Sequence, residues 1–278
     1  GRSLLGNTLL LIGAALAAFL LLPLVSVLGA LFKHYGYRLS VDGETYRKAG
    51  GLLTRHEDSL KRHKIQAIVL KQNFVARLFR RSNMQLRVAS AGSGVESGQL
   101  PGGARATFLV PALHPPEVNE LCEEFFPACD IESVRFSRIN RRRFMTLILG
   151  IVSFPALAIS LSLGLIISWK FAAILPIALG LAWLLANRYW KQSGYAVVGD
   201  YGFIRHGIIG TVRTIFPLFK VQRIDISQTP GQRRRGLAHL SIHLASHSLS
   251  IPYVRIADAE QLRDLALYYA ETTVQPWY

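Results

Sequence analysis

The chain repeats itself, and each copy follows a stretch of sequence suited to lipid. Residues 37–126 and 195–267 can be laid over one another: Tyr37 falls on Tyr195, Asp42 on Asp200 and Arg47 on Arg205. After a two-residue slip, Lys64-Ile65-Gln66-Ala67-Ile68 falls on Lys220-Val221-Gln222-Arg223-Ile224. In the same register Gln72 meets Gln228, Arg77 meets Arg233, and Ala89-Ser90 meets Ala245-Ser246. One long loop in the first copy then shifts Val110-Pro111 onto Ile251-Pro252 and Leu121 onto Leu262. Self-similarity at so long a period signals a duplicated domain rather than a solenoid. Any fold for one copy must therefore suit the other.

Thr8 to Phe32 carries no charged residue, and a bilayer-spanning helix needs roughly 20 apolar residues. Pro23 would kink such a helix, which membranes tolerate. The run is too long for a signal-peptide core. A second apolar region, Phe144 to Ala186, is interrupted only by Lys170 and predicts a tight hairpin, Phe144–Trp169 out and Phe171–Asn187 back. The implied organisation is a membrane helix over 1–33, a first domain over 34–143, a helical hairpin over 144–190 and a second domain over 191–278.

The 32 Lys and Arg residues outnumber 17 Asp and Glu, a net charge of +15, and nearly all lie in the two domains or beside their membrane ends. Arg141-Arg142-Arg143 precedes the hairpin, while Arg188 and Lys191 follow it. Positive residues flanking membrane helices stay on the cytoplasmic side, so both domains are expected in the cytoplasm of a multi-pass plasma-membrane protein. Trp169 at the outer turn, with Tyr189 and Trp190 at the inner end, suits the two interfacial belts. With the amino terminus outside, the first helix implies an upstream partner helix in a longer protein. Cys122 and Cys129 then sit in a reducing compartment, where disulfides are disfavoured, and are expected to be small buried residues.

Within each copy strands come first, then one helix. Tyr35–Val41 leads through Asp42-Gly43 into Thr45–Lys48, and Gly50-Gly51 turns the chain into Leu52–Glu57; Asp-Gly and Gly-Gly between β-prone runs are hairpin signals. Lys64–Gln72 alternates imperfectly. Leu86 and Val88 alternate with polar neighbours as a half-buried strand does, and Thr107–Leu113 follows. After Pro115-Pro116, residues Val118, Leu121, Cys122 and Phe125 form one helical stripe. The second copy ends in a comparable helix, Asp258–Tyr269. The predicted fold class is an α+β membrane protein: transmembrane helices plus two tandem units. Each unit is an antiparallel barrel or sandwich of about seven strands capped by a C-terminal helix.

That order resembles the bacterial pleckstrin-homology-like (PH-like) family of the YdbS/YdbT membrane proteins, its larger YdbT-type members most. The resemblance rests on Gly-Leu-Leu-Thr-Arg at 51–55 and Lys-Ile-Gln-Ala-Ile at 64–68. In the second copy it rests on Ile-Phe-Pro-Leu-Phe-Lys-Val-Gln-Arg-Ile at 215–224 and Arg-Arg-Gly-Leu-Ala at 234–238. The first copy departs from the pattern: Lys61 stands where the second has Pro217, Arg80-Arg81 replaces Gly236-Leu237, and Gly92–Gly103 is inserted. The resemblance implies cytoplasmic modules that bind something beside the membrane, with a smaller YdbS-type sister protein or self-association as partner, and a link to tolerance of membrane-active peptides.

Catalytic motifs are wanting. The Gly-rich stretch Ala91 to Gly103 lacks the Gly-Lys-Ser/Thr of a phosphate loop. His239, His243 and His247 recur every fourth residue, but on a strand successive members are roughly 13 Å apart at about 3.3 Å per residue, which disfavours a metal. Glu57-Asp58 and Glu123-Glu124 have no counterpart in the second copy. No enzyme activity and no cofactor are expected. The basic clusters are the candidate sites: Lys61, Arg62 and Lys64; Arg77, Arg80 and Arg81; and Arg233, Arg234 and Arg235. The plain reading of these clusters is the positive charge carried by any domain tethered beside anionic lipid, with no specific site. The sharper one is a pocket for an anionic lipid headgroup or an acidic protein or peptide partner, because arginine presents a planar fork of donors suited to phosphate. Nucleic acid is disfavoured by the lack of aromatic stacking runs. The aligned pair Arg77 and Arg233 leads. A non-catalytic scaffold is expected, and the alternative is a component of a lipid or amphiphilic-peptide transporter. Transport pathways usually need ionisable groups within the helices, and here the helices offer only residues such as Ser153, Ser160 and Ser162.

Overall fold

Strand pairing, more than local apolar pattern, sets where the elements fall. The computed structural model describes residues 29, 31–32, 35–52, 56–89, 107–129, 131, 134–166 and 168–273, in two compact units, 1–62 and 63–278. In the first unit β1 (Arg38–Asp42), β2 (Thr45–Gly50) and β3 (His56–Lys61) form an antiparallel meander. Asp42 pairs with Thr45 across a two-residue turn in which Gly43 takes φ +58°, a left-handed conformation that glycine adopts without a Cβ penalty. Tyr46 and Leu60 are cross-strand partners and both are buried. Two pairs along, Lys48 meets Asp58 at 2.7 Å. The expected third strand, Leu52–Glu57, ends four residues too early, because pairing Thr45 with Lys61 carries β3 through to Lys61.

The second unit begins with β4 (Ile65–Gln72), the short helix α1 (Phe74–Leu78), β5 (Ser82–Val88), β6 (Thr107–Leu113) and α2 (Pro115–Phe125). Two long helices follow, α3 (Arg141–Ile166) and α4 (Ile174–Gln192), joined by a 3-10 turn at Trp169–Ala173. Then come β7 (Gly194–Val198), β8 (Tyr201–His206), β9 (Thr211–Pro217), β10 (Val221–Ser227), α5 (Pro230–Arg233), β11 (Leu237–Leu244), β12 (Ser248–Arg255) and α6 (Ile256–Thr272). Strands β10-β11-β12 form one antiparallel sheet. The other has the order β6-β5-β4-β9-β8-β7, so strands from the two sequence copies share hydrogen bonds. The β4–β9 pair runs from Ile68↔Ile215 to Gln72↔Thr211.

Phe216, Leu218, Leu240, Ile242 and Val254 fill the core of the second copy, with Ala259, Leu262 and Ala266 of α6 closing it. This mixed α+β arrangement, sheets plus a closing helix, is consistent with PH-like domains. The hairpin glycines also correct the repeat register. Gly199 takes φ +55° in the β7–β8 turn, where Val198 pairs with Tyr201, so it matches Gly43. The offset is therefore the same for the hairpins as for Lys64 and Lys220. The slip that put Tyr37 on Tyr195, Asp42 on Asp200 and Arg47 on Arg205 disappears. Later in the copies, Ala112 and Tyr253 both take φ +55° just after Val110-Pro111 and Ile251-Pro252, in agreement with that part of the alignment.

Among the described residues one helix is long and apolar enough to cross a membrane, Phe144–Ser162 within α3, at mean hydropathy 2.2. Ile151, Phe154, Leu157, Leu161 and Leu165 are exposed along it. The expected return arm does not reach that standard, because α4 spends its last turns on Asn187, Arg188, Lys191 and Gln192. Multiple spanning helices are therefore not supported. The expected helix from Thr8 to Phe32 and the insertion Gly92–Gly103 lie almost wholly or wholly outside the described residues. Phe144 and Met145 are buried at the start of α3, and farther along the two helices the buried residues are small, Ala156, Ser160, Ala182 and Ala186, which lets helices approach closely.

Candidate membrane-interface site

The root of the helical pair is tied to the strands by a chain of polar contacts. The Trp190 indole N–H donates to the Ile139 carbonyl at 2.9 Å, and the guanidinium groups of Arg138 and Arg141 each lie 5.1 Å from the Trp190 ring centre. Phe144 stacks on Tyr189 at 5.2 Å. The expected inner-belt residues Tyr189 and Trp190 thus clamp the start of α3 to the end of α4. From that end, Arg188 Nε and Gln192 Nε2 both donate to the Ile208 carbonyl, at 3.3 and 3.1 Å, fixing the β8–β9 turn to the helix. The turn in turn abuts β4: a Cβ on Gly210 would lie 2.6 Å from the Gln72 carbonyl oxygen and 3.1 Å from Asn73 Cα. Only glycine allows that approach, and it sets the entry to α1 beside the root of the helices.

A cleft of about 370 Å³ opens at the same root, lined by Asn140, Arg142 and Thr146 from the start of α3 and by Arg235 and Leu237 from the β10–β11 connection. The connection is well built. Thr229 and Gln232 form a reciprocal cap around α5, Gly236 takes φ +61°, and Gln228 Nε2 donates to the Leu237 carbonyl at 2.8 Å. The first copy repeats the device with different residues: Gln72 Nε2 donates to the Arg81 carbonyl at 3.3 Å, and Arg80 takes φ +50°. A residue with a Cβ held there costs about 1 kcal/mol. The Gln72–Gln228 match read from sequence is thus a shared latch that closes the loop after each strand.

Basic side chains also neighbour one another in the six-stranded sheet, where Arg205 of β8 pairs with Arg213 of β9. Burial holds the Arg205 guanidinium below its ordinary value, and neighbouring Arg213 and Arg138 push the same way. Burial lowers Arg213 too, and burial with nearby Lys71 lowers His206. Each shift comes first from desolvation, with neighbouring cations adding to it at Arg205 and His206.

The sequence candidates are dispersed. Lys61 is exposed at the end of β3, with Arg62 following it in the first unit; Lys64 is half-buried in the second. Arg77 sits in the last turn of α1 and Arg233 in the last turn of α5, at equivalent places in the two copies and both exposed. Arg80 is exposed, while Arg81 Nη1 donates to the Ala112 carbonyl at 2.7 Å. Arg233 and Arg234 are exposed, and Arg235 reaches both the cleft and the Gly231 carbonyl at 3.3 Å. Sequence reasoning placed Arg142 only as a membrane stop and missed its convergence with Arg235. It also missed Lys220, which is buried although charged. Lys220 Nζ donates to the carbonyls of His63 and Ile65 at 2.6 and 2.7 Å.

The histidines have separate partners: His239 bonds Ser250, His243 bonds Ser248 and Asp225, and His247 bonds Ser246. Among the described residues no group of three His, Cys, Asp or Glu side chains is placed to hold a metal. Cys122 and Cys129 are buried free thiols, and burial raises the Cys122 pKa well above the usual thiol range.

The bacterial PH domain family matches the chain twice, over residues 7–124 and 146–270, and the protein belongs to that family. It is similar to the UPF0699 transmembrane protein YdbT of Bacillus subtilis strain 168, 24% identical over 228 residues, which is 80% of this chain and 44% of the relative. It is also similar to the UPF0699 transmembrane protein YdbS of the same organism, 31% identical over 107 residues, 34% of this chain and 65% of the relative. The chain therefore spans less than half of YdbT and about two thirds of YdbS. No solved structure matches it. With a YdbT-type resemblance confirmed and an exposed apolar helix of spanning length, the chain is consistent with a membrane protein.

Proposed function

We propose that this is a non-catalytic scaffold of the bacterial plasma membrane. Its PH-like domains face the cytoplasm and hold an anionic lipid headgroup at the root of the helical pair. The observation that carries the proposal is the convergence of Arg142 and Arg235, from distant parts of the chain, on one cleft beside the first turns of α3. A cleft of about 370 Å³ suits a phosphodiester headgroup, since small-molecule sites span roughly 300–1,000 Å³. Two guanidinium groups supply donors with the geometry of phosphate. The cytoplasmic orientation is supported by the basic residues at the helix root, Arg138, Arg141, Arg142, Arg188 and Lys191. The names of the two relatives support the membrane setting. A role in tolerance of membrane-active peptides fits a protein that monitors or braces the lipid surface.

The test is lipid mass spectrometry on the full-length protein extracted in native nanodiscs. The wild type is expected to enrich an anionic lipid over the bulk membrane. Arg142→Glu with Arg235→Glu is expected to lower that enrichment by roughly tenfold or more, at about 1 kcal/mol for each basic residue near an anionic leaflet. Unchanged enrichment refutes the cleft. A stoichiometric sister protein without lipid enrichment would move the role from headgroup recognition to partner binding.

A further inference from the structure

Helix α1 is apolar where its surroundings are wet. Phe74, Val75, Leu78 and Phe79 are 63%, 63%, 73% and 67% exposed, all within one short helix and its cap. Single exposed apolar residues are ordinary, but a contiguous patch rimmed by polar groups marks an interaction surface. Here the rim is basic: Arg77 within the helix and Arg80 just beyond it, both exposed.

The repeat shows that this patch is not demanded by the fold. The equivalent segment of the second copy runs Pro230-Gly231-Gln232-Arg233-Arg234-Arg235, with arginines where the first copy has Leu78 and Phe79. The loop closes in the same way in both copies, through Gln72 and Gln228. The apolar side chains therefore serve a contact that only the first copy makes.

Position identifies the partner. The entry to α1 is pressed against Gly210, and the turn containing Gly210 is held by Arg188 and Gln192 at the end of α4. That turn adds exposed Ile208 and Ile209. The neighbouring root of α3 and α4 carries Trp190, Tyr189, Arg138 and Arg141, the aromatic and basic residues of a bilayer interface. We propose that Phe74, Val75, Leu78 and Phe79 are an interfacial anchor that enters the headgroup layer of the membrane crossed by α3. Arg77 and Arg80 would pair with lipid phosphates around it. Short amphipathic segments with basic flanks bury their apolar face several ångströms into that layer. The first copy's strands β4 and β5 would thus be held to the bilayer by their own connection as well as through the helices. The inference rests on the membrane-side placement proposed above but not on the cleft.

The test uses the full chain in lipid nanodiscs with an environment-sensitive dye on Leu78→Cys, and in a parallel sample on Gln222→Cys, an exposed position near the start of β10. Unsubstituted protein, whose Cys122 and Cys129 are buried, gives the labelling background. The dye at position 78 is expected to lose most of its emission to a lipid-borne quencher and little to aqueous iodide, with the reverse at position 222. Quenching at 78 by iodide alone would show a solvated helix and overturn the proposal. Shielding from both quenchers would show a protein cover and overturn it equally. Lipid quenching at 78 in the Arg142→Glu, Arg235→Glu background separates the two proposals, because the anchor then persists while headgroup enrichment is lost.

Discussion

Lys220 is the residue whose chemistry is most at odds with its surroundings. It is 6% exposed, and burial brings its pKa down from 10.5 to about 8. Its amine still makes two hydrogen bonds, to the carbonyls of His63 and Ile65, and a neutral amine keeps two N–H groups to do so. The folded state therefore binds the proton less tightly than the unfolded chain. Stability is lowest below pH 8, where the buried ammonium is charged, and rises between about pH 8 and 10.5. The expected outcome is that the thermal midpoint of the wild type climbs across that window relative to Lys220→Met. A difference between the two that stays flat with pH would show that Lys220 is not desolvated in the folded protein.

At the scale of elements, glycine and strand pairing decide what side-chain pattern alone does not. A Cβ on Gly202 would lie 2.4 Å from the tip of the Phe216 ring. Gly202 and Phe216 are cross-strand partners in β8 and β9, and Phe216 is among the largest buried side chains. Gly202→Ala is expected to destabilise the protein by about 1–3 kcal/mol through overpacking, read as a lower thermal midpoint; an unchanged midpoint would mean the ring can swing clear. The same dependence explains what was legible in the sequence. The hairpin turn at Gly43, the strand Thr107–Leu113 and the closing helices were readable because turn chemistry and helical spacing are local. Lys64–Gln72 alternated poorly because β4 has Ile65 through Leu70 all buried, with β5 on one edge and β9 on the other. No local signal announces a neighbour so distant in sequence. The clusters of arginine were legible as charge, but the cleft was not, because Arg142 and Arg235 meet only through the packing of α3 against the second copy.

For the whole molecule, the hydrogen-bonded β4–β9 pair crosses the boundary at which the sequence divides the chain into domains. Thr214 and Ile215 are buried on that edge of β9, and Lys220 needs its acceptors at His63 and Ile65. A fragment comprising 191–278 alone leaves the edge bare, and exposed edges recruit other strands. It is expected to associate in size-exclusion chromatography, whereas 63–278 in the same detergent keeps a discrete size; a well-behaved monomeric 191–278 would show that the pairing contributes little. The continuous sheet also has a mechanical consequence. Six strands spaced about 4.8 Å apart place β6 about 24 Å from β7, and β7 continues from α4 through Ser193, whose N–H bonds the Trp190 carbonyl at 3.2 Å. Any displacement of the end of α4 is therefore passed on through paired strands rather than through loops. Within residues 63–278 the sheet is thus a stiff arm from the end of α4 to β6, with ladders of backbone hydrogen bonds in place of a hinge.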